Sequence, residues 1–127
     1  MIKVKIIENK IIPFGNFVAF TFLKFIFTKD ASKLNDRIIR HEKIHYCQQV
    51  ELAVIGFIIM YLLSFITQFF RCLFIKSVGR VENDSNSIWM RAYRTVVFER
   101  EAYLYENDEK YLENRAPYAW FILNFYV

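Results

Sequence analysis

Glycine and proline are scarce in this chain, three and two among 127 residues. So few turn-formers in a sequence that is 55% hydrophobic argue for long regular elements and against a many-turned all-β sandwich. Cysteine is scarce as well. Cys47 and Cys72 are too few and too widely spaced for a disulfide scaffold or a thiolate zinc site, and their apolar helical surroundings predict two small buried thiols. There is no concentrated basic stripe: 17 Lys and Arg against 13 Asp and Glu leave a net charge of +4 scattered along the chain. That distribution argues against a nucleic-acid partner and suits a membrane surface or ordinary surface charge. The opening MIKVKIIENK has neither an uninterrupted apolar core nor a small-residue cleavage site, so no signal peptide is expected. The length fits a single domain, residues 1–127.

Hydrophobic patterning predicts an α+β fold. Ile2, Val4 and Ile6 alternate with Lys3 and Lys5, the period of a half-buried strand, and Glu8-Asn9-Lys10 reads as a turn. After Pro13 and Gly15, Phe17–Phe27 is rich in β-branched and aromatic residues and reads as a second strand, giving an N-terminal β-hairpin. Lys24 leaves that run too short to cross a membrane. Ser32, Asn35 and Asp36 are N-cap candidates for a helix continuing through Ile38, Ile39 and Ile44. Leu52–Phe70 then carries no charge and is apolar almost all round, as in a helix either enclosed by protein or inserted in a membrane. Enclosing it is hard for a chain this short, so membrane contact is expected. Residues 76–87 read as a loop, Ser87–Asn107 as an antiparallel second helix. The aromatic tail, with Tyr111, Leu112, Tyr118, Trp120 and Phe121, reads as a short helix that packs back.

The chemistry is concentrated in His41-Glu42-Lys43-Ile44-His45, the pattern HExxH, which holds the only two histidines. Four residues apart on a helix, two imidazoles lie about 40° apart and one turn along, close enough to share an ion about 2.0–2.1 Å from each nitrogen. Glu42, about 100° round from His41, sits beside that ion and can take a proton from a water on it. By chance alone the pattern arises about once in a thousand such chains. The plain alternative is a metal-free histidine pair on an exposed helix face, with Glu42 paired to a neighbouring Lys or Arg.

A zinc site needs a third protein ligand and an open fourth position. Cys47 lies about 200° round the helix from His45, on the wrong face. Phe98-Glu99-Arg100-Glu101-Ala102-Tyr103 is the better source, and since Glu99 and Glu101 are also about 200° apart, only one of them can face the ion. Tyr46, Tyr93 and Tyr105 are candidates to polarise a substrate carbonyl. Arg91 and Arg94 are expected to pair with Glu51 or Glu42.

HEKIH followed by a distant E-x-E-A segment resembles the gluzincin branch of zinc metallopeptidases, whose HtpX-like and BlaR-like members are membrane-linked. The resemblance spans roughly residues 36–51 and 91–105. It implies a zincin-like fold and hydrolysis of peptide or protein substrates, with Zn2+ held by His41, His45 and Glu99 and Glu42 as general base. In that family the third ligand is a Glu three residues before an Ala, as Glu99 is before Ala102, and usually four before an Asp. Tyr103 stands at the Asp position, where its hydroxyl would support a ligand histidine instead. The edge strand that pairs with substrate in zincins would correspond to residues 17–27.

A geometric constraint follows. An upright Leu52–Phe70 helix would be about 28 Å long and would strand Glu99 across the bilayer from the histidines. A simple span and a His41/His45/Glu99 site exclude each other, so the apolar stretch is expected to be half-inserted or folded in, with a bend near Gly56. The expected location is the cytoplasmic membrane. The competing readings are a non-catalytic membrane-associated interaction module on the same fold and a single-span protein with a chance HExxH.

Overall fold

A computed structural model describes residues 3–13, 17–77 and 88–123. Its strands are β1 (Lys5–Glu8), β2 (Phe20–Phe22) and β3 (Phe25–Thr28). The helices are α1 (Asp36–Glu51), α2 (Ala53–Ser77), α3 (Ile88–Thr95), α4 (Val97–Tyr105), α5 (Tyr111–Asn114) and α6 (Ala119–Leu123). The chain is thus mostly helical with one small sheet, an α+β arrangement.

The sheet order is β1-β3-β2. The expected single strand over 17–27 is itself a hairpin. Leu23 adopts φ 51°, so the chain reverses at Leu23-Lys24 and pairs Phe22 with Phe25. The strand expected over residues 2–6 is β1 at Lys5–Glu8, in which Ile6 is exposed and Ile7 half-buried, and it runs parallel to β3 where a hairpin partner was expected. Ile2 and Gly15 are outside the described residues. Asn9 accounts for the turn after β1, its side-chain oxygen accepting from the N–H groups of Ile11 and Ile12.

α1 starts where a capping residue allows it. The Asn35 side chain accepts from the Ile38 N–H at 2.9 Å, and Asp36 complements the positive end of the helix. Ser32 belongs instead to a 3-10 turn (Ala31–Lys33) capped by Asp30. α1 ends at Leu52, and the chain re-enters helix through Ala53 at φ 50°. The bend expected near Gly56 is therefore one turn earlier, and Gly56 is an ordinary helical residue. α2 runs on through residues 76–77, which were expected in a loop; 78–87 are outside the described residues.

The second expected helix is broken. Val96 leaves helical geometry at φ −54°, ψ 135°, within a β-branched run of Thr95, Val96 and Val97. The Ser64 hydroxyl of α2 accepts from the Val97 N–H at 3.2 Å, satisfying one of the donors the break exposes. α3 and α4 run antiparallel to α2: Trp89 packs on Phe69, Val97 reaches Ser64, and Phe98 packs on Phe57. Phe57, Val96, Phe98 and Trp120 make the core, so the tail does pack back, through α6. α2 is not enclosed: 6% of its most apolar window is buried in the protein. Cys47 and Cys72 are free and half-buried, not the fully buried thiols expected.

Candidate metal centre

Six residues of α1 are buried: His41, Glu42, Ile44, His45, Gln48 and Gln49. Their spacing is that of a core-facing helical stripe, yet Ile44 alone is apolar. Polar groups taken out of water need partners, and each of these has one.

The Nε2 atoms of His41 and His45 lie 3.2 Å apart. Glu99 of α4 meets both, with Oε2 3.2 Å from His41 Nε2 and Oε1 3.1 Å from His45 Nε2. All three residues are buried. A tetrahedral ion with bonds of about 2.0–2.1 Å holds its ligand atoms about 3.4 Å apart, close to these separations. The far sides of the rings fix which nitrogen carries the proton. His41 Nδ1 donates to Glu106 Oε2 at 2.8 Å, and His45 Nδ1 to Gln48 Oε1 at 2.8 Å. The Gln48 amide is oriented in turn by donating to the Phe98 carbonyl and to Glu101. With Nδ1 of each ring donating to these partners, both Nε2 atoms are left facing the Glu99 carboxylate. Three acceptors converging in a buried site require a cation or an extra proton among them. The group can hold a metal ion, and the donor set leaves its identity open.

Electrostatics agree with that picture. Burial alone would lower the His45 pKa, but the charge and hydrogen bond of Glu99 outweigh it and raise it to about 9. Burial also works against an ionised Glu99, yet His45 and His41 hold its carboxyl well below the usual carboxylate range. The Tyr61 phenol, pushed up by burial and by Glu99, stays protonated and donates to Glu99 Oε1 at 3.1 Å.

A cleft of about 530 Å³ lies over Glu42, His45 and Glu99. Phe20 and Phe22 of β2 form one wall; Phe57, Ile58 and Leu62 of α2 form the other. The Thr21 hydroxyl donates to Glu42 Oε2, tying α1 to β2 through a buried contact. Of the stretch 17–27 expected at a sheet edge, β2 is an edge and β3 is the central strand, and part of the β2 edge is closed: Gln49 donates to the Thr21 carbonyl and accepts from the Leu23 N–H.

Glu99, not Glu101, faces the histidines. Glu101 turns to the opposite side and is paired with Arg115, which also binds Glu51. The expected pairing of Arg91 or Arg94 with Glu51 or Glu42 is therefore replaced, Arg94 lying instead over the Tyr103 ring. Tyr103 does not take over the family's Asp role. Its ring packs edge-on against His41, centroids 4.7 Å apart, while Glu106 supports that histidine. Tyr93 lines the cleft with its phenol pushed up by burial and Glu99, whereas Tyr105 stacks on Tyr111. Sequence reasoning missed Glu106, Gln48 and Tyr61. A signal existed for Glu106, seven residues after Glu99 and so on the same helical face, and for Gln48, one turn after His45. No family model matches the chain, and no curated protein and no solved structure is significantly similar to it.

Proposed function

We propose that this protein is a zinc-dependent hydrolase, a peptidase of gluzincin type on a minimal zincin-like fold, acting at or near the cytoplasmic membrane on peptide or protein substrates. The observation that supports this reading most is the convergence of His41, His45 and Glu99, with the histidine tautomers set by Glu106 and Gln48, beside a cleft lined by Glu42, His45 and Glu99. Zinc held by His41, His45 and Glu99 would supply a Lewis acid and lower the pKa of water towards about 7. Glu42 accepts a proton from water in the cleft, its Oε2 oriented by Thr21. Tyr93, protonated and lining the same cleft, donates to a substrate carbonyl as negative charge develops there. Tyr61 holds the Glu99 carboxylate in place.

The test combines metal analysis with turnover of a quenched-fluorescence peptide library. Purified protein carries one zinc per chain, and His41→Ala loses it. Glu42→Gln retains zinc and lowers turnover by about 10²–10⁴-fold, the usual worth of a general base. Stoichiometric zinc with no hydrolysis by the unaltered chain assigns the non-catalytic module instead, and absence of zinc removes the hydrolase and leaves that module.

A further inference from the structure

α2 carries an exposed apolar stripe. Ile55, Ile59, Leu62, Ile66, Phe70 and Phe74 recur at spacings of three and four and lie within one side of the helix, each about half exposed or more. From Ile55 to Phe74 the stripe is about 28 Å long. The opposite side of α2 holds the rest of the protein through Phe57, Tyr61 and Ser64. That antiparallel packing sets Arg94 alongside the middle of α2, between the levels of Phe69 and Ser64, while Arg100 lines a surface pocket there with Met60, Leu63 and Gln68.

We propose that α2 lies in the plane of a bilayer with this stripe sunk into one leaflet, that it does not cross, and that the cleft over His45 and Glu99 opens at the lipid surface. Length and hydropathy alone would let α2 cross. Its packing argues otherwise, because an upright α2 would carry Arg94 and Arg100 to the hydrocarbon midplane, where a charged group is strongly disfavoured. In-plane seating puts apolar side chains in lipid and leaves Arg94 and Arg100 in the aqueous phase, with Arg71, exposed on the flank of α2 about 100° round from Phe70, at the interface. Two residues tie the stripe to the cleft. Ile58 and Leu62 line the cleft wall and are also 48% and 56% exposed on the apolar side of α2. Across the cleft mouth, Phe20 and Phe22 of β2 are exposed too, which extends the apolar surface over both lips. A net charge of +4 adds attraction to an anionic leaflet, which favours lipid over a second, equally basic copy of this chain.

This proposal rests on the membrane part of the reading above and needs no hydrolysis. The full chain is mixed with vesicles of phosphatidylcholine and phosphatidylglycerol and floated on a density gradient. Separately, Lys29→Cys and Arg71→Cys, each in a Cys47→Ser/Cys72→Ser background, are expressed in cells and probed with a membrane-impermeant maleimide in right-side-out and inverted membrane vesicles. The chain floats, and both positions react from the same side. Ile59→Glu and Ile66→Glu each weaken flotation about tenfold or more while zinc content is retained. Labelling of Arg71→Cys from the opposite side shows a span and overturns the proposal. So does a chain that stays at the bottom of the gradient and forms larger assemblies, since a second copy then covers the stripe. A catalytically dead chain that floats and labels from one side leaves this proposal standing and removes only the hydrolase.

Discussion

Glu106 offers a sharp test of the metal centre, because it touches the site through one atom of one ligand. Its Oε2 accepts from His41 Nδ1 at 2.8 Å, and its Oε1 accepts from Arg37 Nη1 at 2.8 Å. Two donors thus require two acceptor oxygens. Glu106→Gln keeps the shape and supplies one oxygen and one NH2, so either His41 or Arg37 faces a donor. Losing such an outer partner costs about 10–100-fold in metal affinity, or about 1.4–2.7 kcal/mol. Arg37 is half exposed, so its own removal perturbs stability by no more than about 1 kcal/mol. In Arg37→Ala/Glu106→Gln the remaining oxygen is free to serve His41, and the double variant recovers most of the lost affinity. The assay is competition for zinc against a chromophoric chelator, run on the unaltered chain, both single variants and the double variant. Affinity within about twofold of the original in Glu106→Gln refutes the tautomer argument. A double variant no better than Glu106→Gln shows that the loss did not come from competition between the two donors.

Gln48→Leu removes the acceptor for His45 Nδ1 and the donor to Phe98 and Glu101, so zinc affinity falls about 10–100-fold in the same competition assay. Gln48→Glu restores the acceptor but sets a carboxylate against Glu101, so it binds zinc more tightly than Gln48→Leu yet unfolds at a lower temperature; the reverse order of affinities would contradict the role given to Gln48. Arg115→Met leaves the fully buried Glu101 and the nearly buried Glu51 without their shared cation, which costs about 3–5 kcal/mol in thermal or urea unfolding. A loss below about 1 kcal/mol would mean that the cluster is solvated and does not brace the junction of α1, α4 and α5.

The legible features are those governed by neighbours in the chain. Asn35 as a cap, the helical spacing of His41, Glu42 and His45, and the charge-free run in α2 follow from local propensity and from a hydrogen-bond ladder that repeats every turn. Errors gathered where the chain breaks its own regularity. The hairpin at Leu23, the bend at Ala53 and the break at Val96 are single-residue backbone events. At Val96 part of the compensation comes from Ser64, far away in sequence, so no local pattern announces it.

Sequence by itself determined that two imidazoles and a carboxylate share one stretch of helix, because residues four apart are bound to be neighbours on any α-helix. It also determined that about nineteen charge-free residues follow them and need an apolar surrounding. Which glutamate joins the histidines was decided by tertiary structure. Glu99 and Glu101 point to opposite sides of α4, and the choice depends on the rotation of that helix about its axis, set by the break at Val96 and by Phe98 seated against Phe57. Packing likewise decided that Glu106 and Gln48 hold the rings and that α2 keeps its apolar side outward. Such choices come from contacts between residues dozens of positions apart, whose meeting no local spacing records.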